Sequence, residues 1–155
     1  MATSKRLPLE RENCFPNLFV SGYRVTSPED SAHNCVSWAA GQENTQEWWD
    51  PFAFGRGYYW PAGLPRNARL STFIKLYAME GGYVPCETPE PEPGFEKLAI
   101  YADASGEVTH VARQTENGAW TSKLGDWEDI SHERLEALYG EAYGTVAQLL
   151  RRRRQ

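Results

Sequence analysis

Apolar side chains recur at helical spacing in two long stretches of the chain. Over residues 70–80 they are three and four positions apart and two glycines follow, so the pattern predicts a helix that stops there. Over residues 131–150 the same spacing continues through two interior glycines. It predicts an amphipathic C-terminal helix that is kinked at Gly140 and Gly144.

A third, shorter apolar stretch predicts a helix with a cysteine near its start. Residues 36–40 are mostly apolar, and Gly41 follows them as a stop signal. The preceding residues 28–31 contain Pro, Asp and Ser, which are favoured where a helix begins. Cys35 is therefore predicted to lie in the first turn of this helix.

Strand-like alternation of apolar and polar residues follows the helix predicted over 70–80. It covers residues 97–103, 107–114 and 119–124, and the turns between them contain Ser105-Gly106 and Asn117-Gly118. Asn-Gly is the strongest short hairpin signal, so the three segments predict an antiparallel meander. Helices that are segregated from an antiparallel sheet make an α+β domain.

Residues 44–66 show neither a helical nor a strand period, and they are rich in Trp, Tyr, Phe, Pro and Gly. The pattern predicts one long aromatic loop. Such a loop acts as a lid over a binding groove or as a flap that completes the core. As a lid it supplies Trp48, Trp49 and Trp60 to a substrate groove, together with Trp38 from the helix of Cys35.

The chain has 155 residues, of which 41% are hydrophobic, and this is enough to bury the core of one domain over 1–155. The formal net charge is −5, although four positive charges are concentrated at Arg151–Arg154. An acidic body argues against a nucleic-acid partner, because phosphate contacts need a basic surface. The basic residues of 151–155 are predicted to form a solvated tail.

The chain contains no apolar stretch of about 20 residues, the length that a membrane-spanning helix needs. Its first 14 residues include basic side chains but no apolar core of a secretory signal. The expected location is therefore the cytoplasm, with no membrane partner, unless a specialised secretion system exports the protein.

Three cysteines and three histidines are scattered along the chain. Cys14, Cys35 and Cys86 are an odd number in a chain without a secretory signal, which argues against a disulfide framework. None of them forms a C-x-x-C pair, so a structural zinc site is not expected. The sequence gives no signal for any cofactor.

One cysteine and one distant histidine have the positions that a thiol nucleophile needs. Cys35 lies in a predicted first helical turn, where unpaired N–H groups lower the pKa of a thiol. His110 lies within a predicted strand that faces the helices, and an imidazole beside the thiol favours the thiolate further. The alternative is that His110 is a core residue whose ring is hydrogen bonded to the backbone.

Two segments resemble the NlpC-type cell-wall peptidases of the papain-like superfamily. NCVSWAAG resembles the Asp-Cys-Ser-Gly-aromatic helix start, and PGFEKLAIYADASGEVTHVARQTENGAWTSK resembles the sheet that carries the catalytic His. The motifs NCxxWAxG and THxARQxxxGxWTSKLG are also similar to a small family of bacterial domains without an assigned activity. The resemblance implies a papain-like fold, with the Cys-bearing helix packed on a small antiparallel sheet, and a catalytic Cys35–His110 pair.

The resemblance also implies a third polar residue that orients the imidazole. In the family this residue lies twelve positions after the His, where this chain has Ser122 in place of the usual His, Asn, Asp or Gln. A serine can orient the ring but stabilises an imidazolium less than a carboxylate does. The alternatives nearby are Gln114, Asp126, Glu128 and Asp129, the last of which also suits the N-cap of the predicted C-terminal helix.

Two functions follow as hypotheses. The first is a cysteine-dependent hydrolase of the amidase or peptidase type that acts on a peptide or sugar-peptide, either inside the cell or as an effector toxin with an inhibitory immunity protein. The second is a non-catalytic binding module on the same frame, which recognises its partner through the Trp-rich loop.

Overall fold

Seven strands pair in one antiparallel sheet in the computed structural model, which describes residues 6–27, 34–40, 48–124 and 128–154. The strands are β1 Arg24–Ser27, β4 Val84–Cys86, β5 Phe95–Ala102, β6 Val108–Gln114, β7 Trp120–Lys123, β8 Asp129–His132 and β9 Thr145–Arg153. Their order across the sheet is β1-β8-β7-β6-β5-β9-β4. Two short strands, β2 Trp48–Trp49 and β3 Tyr58–Tyr59, pair parallel as a separate unit.

The helices are short, with one exception. They are α1 Leu9–Glu12, α2 Pro16–Ser21, α3 Cys35–Ala39 and α4 Leu70–Gly81, and a 3₁₀ helix covers Leu135–Leu138. The α4 helix confirms the prediction for residues 70–80, and Gly82 ends it in the left-handed conformation that favours glycine. The predicted meander is also confirmed, because β5, β6 and β7 pair antiparallel in succession.

The predicted C-terminal helix is wrong. The stretch contains instead the end of β8, the 3₁₀ helix and the nine-residue strand β9, which pairs with β5 on one side and β4 on the other. Gly140 and Gly144 divide the stretch, and both have positive φ angles (151° and 75°) that an α-helix does not contain. Because these glycines interrupt the stretch, its apolar residues do not form one continuous face of a helix.

The predicted fold class, α+β with a papain-like, NlpC-type helix on a small sheet, is contradicted by the size of the sheet. Seven antiparallel strands form the body of the described chain, and its helices are few and mostly short. The sequence pattern underestimated the strands because β8 and β9 lie within the stretch that has helical spacing.

Each face of the sheet packs against its own hydrophobic core. The β5 strand contributes Ala99 and Tyr101 to one core and Leu98 and Ile100 to the other, as the alternation of side chains along a strand requires. We call the first the α2-face core, because Leu18 of α2 belongs to it, and the second the α4-face core. Further members of the α4-face core are Cys35, Val36, Trp49, Trp60, Phe73, Leu76, Tyr77 and Val111.

The arginine run is part of β9 and not a solvated tail. Arg151 forms an ion pair with Glu92, and Arg152 contacts Glu96 at 3.4 Å. The guanidinium of Arg152 also lies 4.5 Å from the centre of the Tyr83 ring. These contacts hold the side chains of Arg151 and Arg152 against the fold, whereas Arg153 is exposed.

The close approach of the β9 end to the β5 end at Gly144 can be tested by substitution of this glycine. A Cβ atom at this position would lie 2.0 Å from the carbonyl oxygen of Ala102, and the φ angle is +75°. Gly144→Ala should therefore lower the free energy of unfolding by about 2 kcal/mol more than Gly106→Ala does. Gly106 is the matched control, because its φ angle is also positive (+89°) but nothing lies within 4 Å of its Cβ position. Urea denaturation measures both, and equal losses would contradict the close approach.

Candidate functional site

Cys35 is the first residue of α3, and the residue before it fixes the start of the helix. The Asn34 side chain accepts a hydrogen bond from Ser37 N (3.1 Å), and Ser37 Oγ accepts one from Asn34 N (3.2 Å), which completes a capping box. The sequence predicted the helix and the place of Cys35 in its first turn. The predicted capping region, residues 28–31, lies outside the described residues.

Asn34 also connects the start of α3 to the aromatic loop. Its Nδ2 donates to the carbonyl oxygen of Trp49 (3.0 Å), and Trp49 N donates to Asn34 Oδ1 (3.3 Å). The Trp49 ring is buried and lies 5.1 Å from the Tyr59 ring, measured between centres. The described part of the loop therefore begins beside the candidate nucleophile.

Burial controls the charge state of Cys35. Its thiol is enclosed in the α4-face core, and this desolvation raises the pKa from 9.0 to about 11. Hydrogen bonding by the backbone of Val111 and the charge of Lys123 lower the pKa, but by less than burial raises it. The thiol is therefore neutral at pH 7, whereas the helix start alone predicted a more acidic group.

His110 lies on β6 with its ring fully buried between aromatic side chains. The ring stacks on Tyr143 with 4.2 Å between centres and an angle of 5°, and it meets the Tyr101 ring at 5.4 Å. Burial lowers the pKa of His110 well below 6.5, and the charge of His132 lowers it further. Neither ring nitrogen has a hydrogen-bond partner in the part of the chain that the structure describes.

The structure brings Cys35 to the strand of His110 but does not join their side chains. The α3 helix packs against β6, where the backbone of Val111, the residue after His110, lowers the pKa of the Cys35 thiol. The His110 ring packs against Tyr101 and Tyr143 beside the α2-face core, whereas Cys35 belongs to the α4-face core. Since both ring nitrogens lack a hydrogen-bond partner among the described residues, the thiol does not donate to the imidazole in this state.

Ser122 contacts a different histidine from the one expected. Its Oγ lies 2.8 Å from Nε2 of His132, and Nδ1 of His132 lies 2.9 Å from the carbonyl oxygen of Arg134. Both side chains are buried. The sequence does not point to His132 as a site residue, because the pattern of residues 131–150 predicts a helix. Read as a strand, residues 129–132 pair with 120–123 and bring Ser122 near His132.

The other candidates for the third residue have partners of their own or lie outside the description. Gln114 Nε2 donates to the carbonyl oxygen of Pro89 (2.8 Å), and Glu128 forms an ion pair with Arg11 (2.7 Å). Asp129 begins β8 opposite Lys123 and does not cap a helix. Asp126 is outside the described residues. None of the described candidates is hydrogen bonded to His110.

The four tryptophans predicted to bind substrate are not the exposed rings of the loop. Trp49 and Trp60 are buried in the α4-face core, and Trp38 and Trp48 are half-buried. Trp60 Nε1 donates to the carbonyl oxygen of Pro65 (3.0 Å), which is a structural role. The exposed rings are Phe52, Phe54 and Tyr58, with exposed fractions of 66%, 72% and 46%. The guanidinium of Arg66 lies 4.0 Å from the centre of the Phe54 ring.

Within 6–27, 34–40, 48–124 and 128–154, no group of three His, Cys, Asp or Glu side chains is arranged to hold a metal ion. No helix in these ranges is long and apolar enough to cross a membrane.

Comparison with known proteins gives one match. A family model described as a domain of unknown function, DUF7689, matches residues 24–151, which include every residue of the candidate site. No curated protein and no solved structure matches the chain.

Because some rings of the aromatic loop are exposed and others are buried, their substitution should affect the free energy of unfolding to different extents. Phe52→Ser and Phe54→Ser should each change the free energy of unfolding by less than about 0.5 kcal/mol, because the rings are exposed. Trp60→Ala should cost about 3 kcal/mol or more, because it leaves a cavity in the α4-face core. Thermal denaturation of the three variants is the measurement. A large loss for Phe52→Ser would mean that this ring carries packing energy.

Burial of His132 predicts a loss of stability in acid. Its pKa is lowered from 6.5 to about 4 by burial, so the unfolded chain takes up the proton at a higher pH than the folded chain. The contribution of His132 to the free energy of unfolding is fully present above pH 6.5. It falls by about 3 kcal/mol as the pH drops from 6.5 towards 4. His132→Gln should remove that part of the pH dependence. Urea midpoints of both proteins between pH 7.5 and 4 would show it, and parallel curves would contradict it.

Proposed function

The chain belongs to the DUF7689 family, and we propose that it is a cysteine-dependent hydrolase of the amidase or peptidase type, with Cys35 as nucleophile and His110 as base. One observation carries the proposal. The α3 helix, which begins with Cys35, packs against β6, the strand of His110, and both nitrogens of that buried ring are without a hydrogen-bond partner among the described residues. Buried polar groups without partners are rare and costly, which favours a chemical use for this ring.

The reaction needs a proton acceptor near the thiol and hydrogen-bond donors for the oxyanion. Cys35 Sγ forms a bond to the carbonyl carbon while the imidazole of His110 takes the thiol proton. The bond from carbon to the leaving nitrogen then breaks, and His110 returns the proton to the amine. Water attacks the thioester, which releases the acid and restores the thiol. Backbone N–H groups at the start of α3 would stabilise the oxyanion.

The charge states favour general-base catalysis over a preformed ion pair. Burial keeps the Cys35 thiol neutral by raising its pKa and keeps the imidazole neutral by lowering the pKa of His110. A neutral imidazole is the form that accepts a proton. Because the His110 ring and the Cys35 thiol lie on opposite faces of the sheet, the proton transfer requires the His110 segment of β6 to rearrange when substrate binds.

The motifs that resemble NlpC-type peptidases support the same two residues. They support an amide or acyl substrate, with a peptide or sugar-peptide as the predicted class. Delivery as an effector toxin, export by a specialised secretion system and restraint by an immunity protein stay predictions.

An activated ester tests the nucleophile without knowledge of the natural substrate. In a Cys14→Ser/Cys86→Ser chain, Cys35 is the one remaining cysteine. Incubation with p-nitrophenyl acetate should acetylate Cys35 and then release acetate, so that p-nitrophenol forms over many turnovers. His110→Ala should slow the acylation by about 100-fold, the lower end of what general-base catalysis contributes. Intact-protein mass spectrometry and absorbance follow the two steps.

His132→Gln is the matched control, because it alters a second buried histidine that contacts Ser122 and not the thiol. It should leave the acylation rate within about twofold of the parent, a far smaller change than a lost general base produces. If His110→Ala and His132→Gln slow the reaction equally, or if Cys35 is never acylated while the chain is folded, the hydrolase proposal fails.

A second candidate is the binding module, which the exposed rings of Phe52 and Phe54 favour. Aromatic side chains beside arginine are typical of the residues that dominate protein interfaces, and Arg66 supports the Phe54 ring here. Cys35→Ser separates the two functions. It should abolish hydrolysis but leave recognition by the loop unchanged, whereas Phe52→Ser with Phe54→Ser should abolish recognition.

A further inference from the structure

Lys123 is a fully buried cation on the face of the sheet where Cys35 lies. It occupies the end of β7, and its side chain has no exposed surface. Its neighbour Ser122 is hydrogen bonded to His132 beside the α2-face core. Because side chains alternate along a strand, Lys123 points to the opposite face. The α3 helix packs against β6 and β7 on that face, and Cys35 is its first residue.

We propose that Lys123 is the cation that stabilises the thiolate of Cys35. The inference rests on the proposed function, since a thiolate has a use here only if Cys35 is the nucleophile. His110 is neutral and takes the proton, so it supplies no positive charge before the proton moves. A fixed ammonium group supplies that charge throughout the reaction, and in a buried site its field is weakly screened.

Two other titratable side chains that interact with Cys35 are neutral at pH 7, whereas Lys123 is a cation. Burial raises the pKa of the Tyr77 and Tyr143 phenols well above the ordinary value, and the negative charge of a Cys35 thiolate raises it further. Both phenols are therefore neutral at pH 7. Asp129 lies directly opposite Lys123 on β8. The charge of Lys123 lowers the pKa of the Cys35 thiol, against the larger effect of burial.

The chain offers a matched control in a second fully buried lysine. Lys97 lies on β5, where its Nζ donates to the carbonyl oxygen of Thr88 (2.6 Å) and contacts Glu92 at 2.9 Å. It is as buried as Lys123, but its contacts are with Thr88 and Glu92 and not with the site of Cys35. Substitution of either lysine by Met removes one buried charge, so a general effect of such a loss appears in both variants.

The experiment is the pH dependence of alkylation of Cys35 by iodoacetamide in the Cys14→Ser/Cys86→Ser chain. Lys123→Met should shift the midpoint of the profile upward by at least about one pH unit, which slows alkylation about tenfold below the midpoint. Lys123→Arg should keep the parent midpoint because it keeps the charge. Lys97→Met should also keep it. Circular dichroism checks folding, and Lys123→Gln replaces Lys123→Met if the latter is unfolded.

The outcomes separate this inference from the proposed function, because alkylation needs no turnover. A midpoint that is unchanged in Lys123→Met, or raised equally in Lys97→Met, would overturn the role of Lys123. A midpoint that rises only when Lys123 loses its charge supports it. If that rise occurs in a chain that never turns over p-nitrophenyl acetate, the electrostatic role stands and the hydrolase proposal fails.

Discussion

The pairing of β9 with β5 is the constraint on which both the sheet and the candidate site depend. The two strands pair from Phe95–Arg153 to Ala102–Thr145, with one register shift between Ile100 and Tyr101, so β5 has a neighbouring strand at both edges. The chain can enter β9 only by passing close to the end of β5, and this is where Gly144 meets the carbonyl oxygen of Ala102. The residue before that glycine is Tyr143, which the same path lays flat on the imidazole of His110.

Burial, more than any single contact, determines the chemistry of the site. The start of α3 and a nearby lysine both favour a thiolate, yet the apolar core around Cys35 keeps the proton on sulfur. Burial on the opposite face of the sheet removes the proton from His110. A site with two neutral groups avoids the cost of burying an ion pair in the absence of substrate. Lys123, which pairs with Asp129 across β7 and β8, carries the charge that lowers the pKa of the thiol.

The sequence predicted the elements whose signals are local. The α4 helix has a clear period and a glycine stop, and the β5–β7 meander has an Asn-Gly turn. The first turn of α3, with Cys35 in it, was predicted for the same reason. The strand β9 was missed because its position depends on partners about 50 residues away, while its apolar residues also fit a helical spacing. The His110 strand was predicted correctly, but the side of the sheet that its ring occupies depends on a register shift beside Ala102.

The dependence on strand neighbours that are distant in sequence also explains why the partner of Ser122 was not predicted. A spacing of twelve positions pointed to Ser122, but spacing does not reveal that β8 runs beside β7 and supplies a histidine to that serine. The aromatic loop was recognised by its composition. Which of its rings are exposed depends on Asn34 and Trp60, whose hydrogen bonds anchor the loop.

The position of β9 also has a consequence for the nascent chain. It lies between β4 and β5, although both are synthesised before it, and β4 pairs with no other strand of the sheet. Until the ribosome has added residues 145–153, β5 has an open edge of backbone N–H and C=O groups, and open edges are where strands of other chains pair. The arginines of 151–153 reach this gap last, carrying charges that disfavour pairing between two copies of the same strand. The vulnerable interval in the life of this protein is therefore its synthesis, before the sheet has closed around its latest strand.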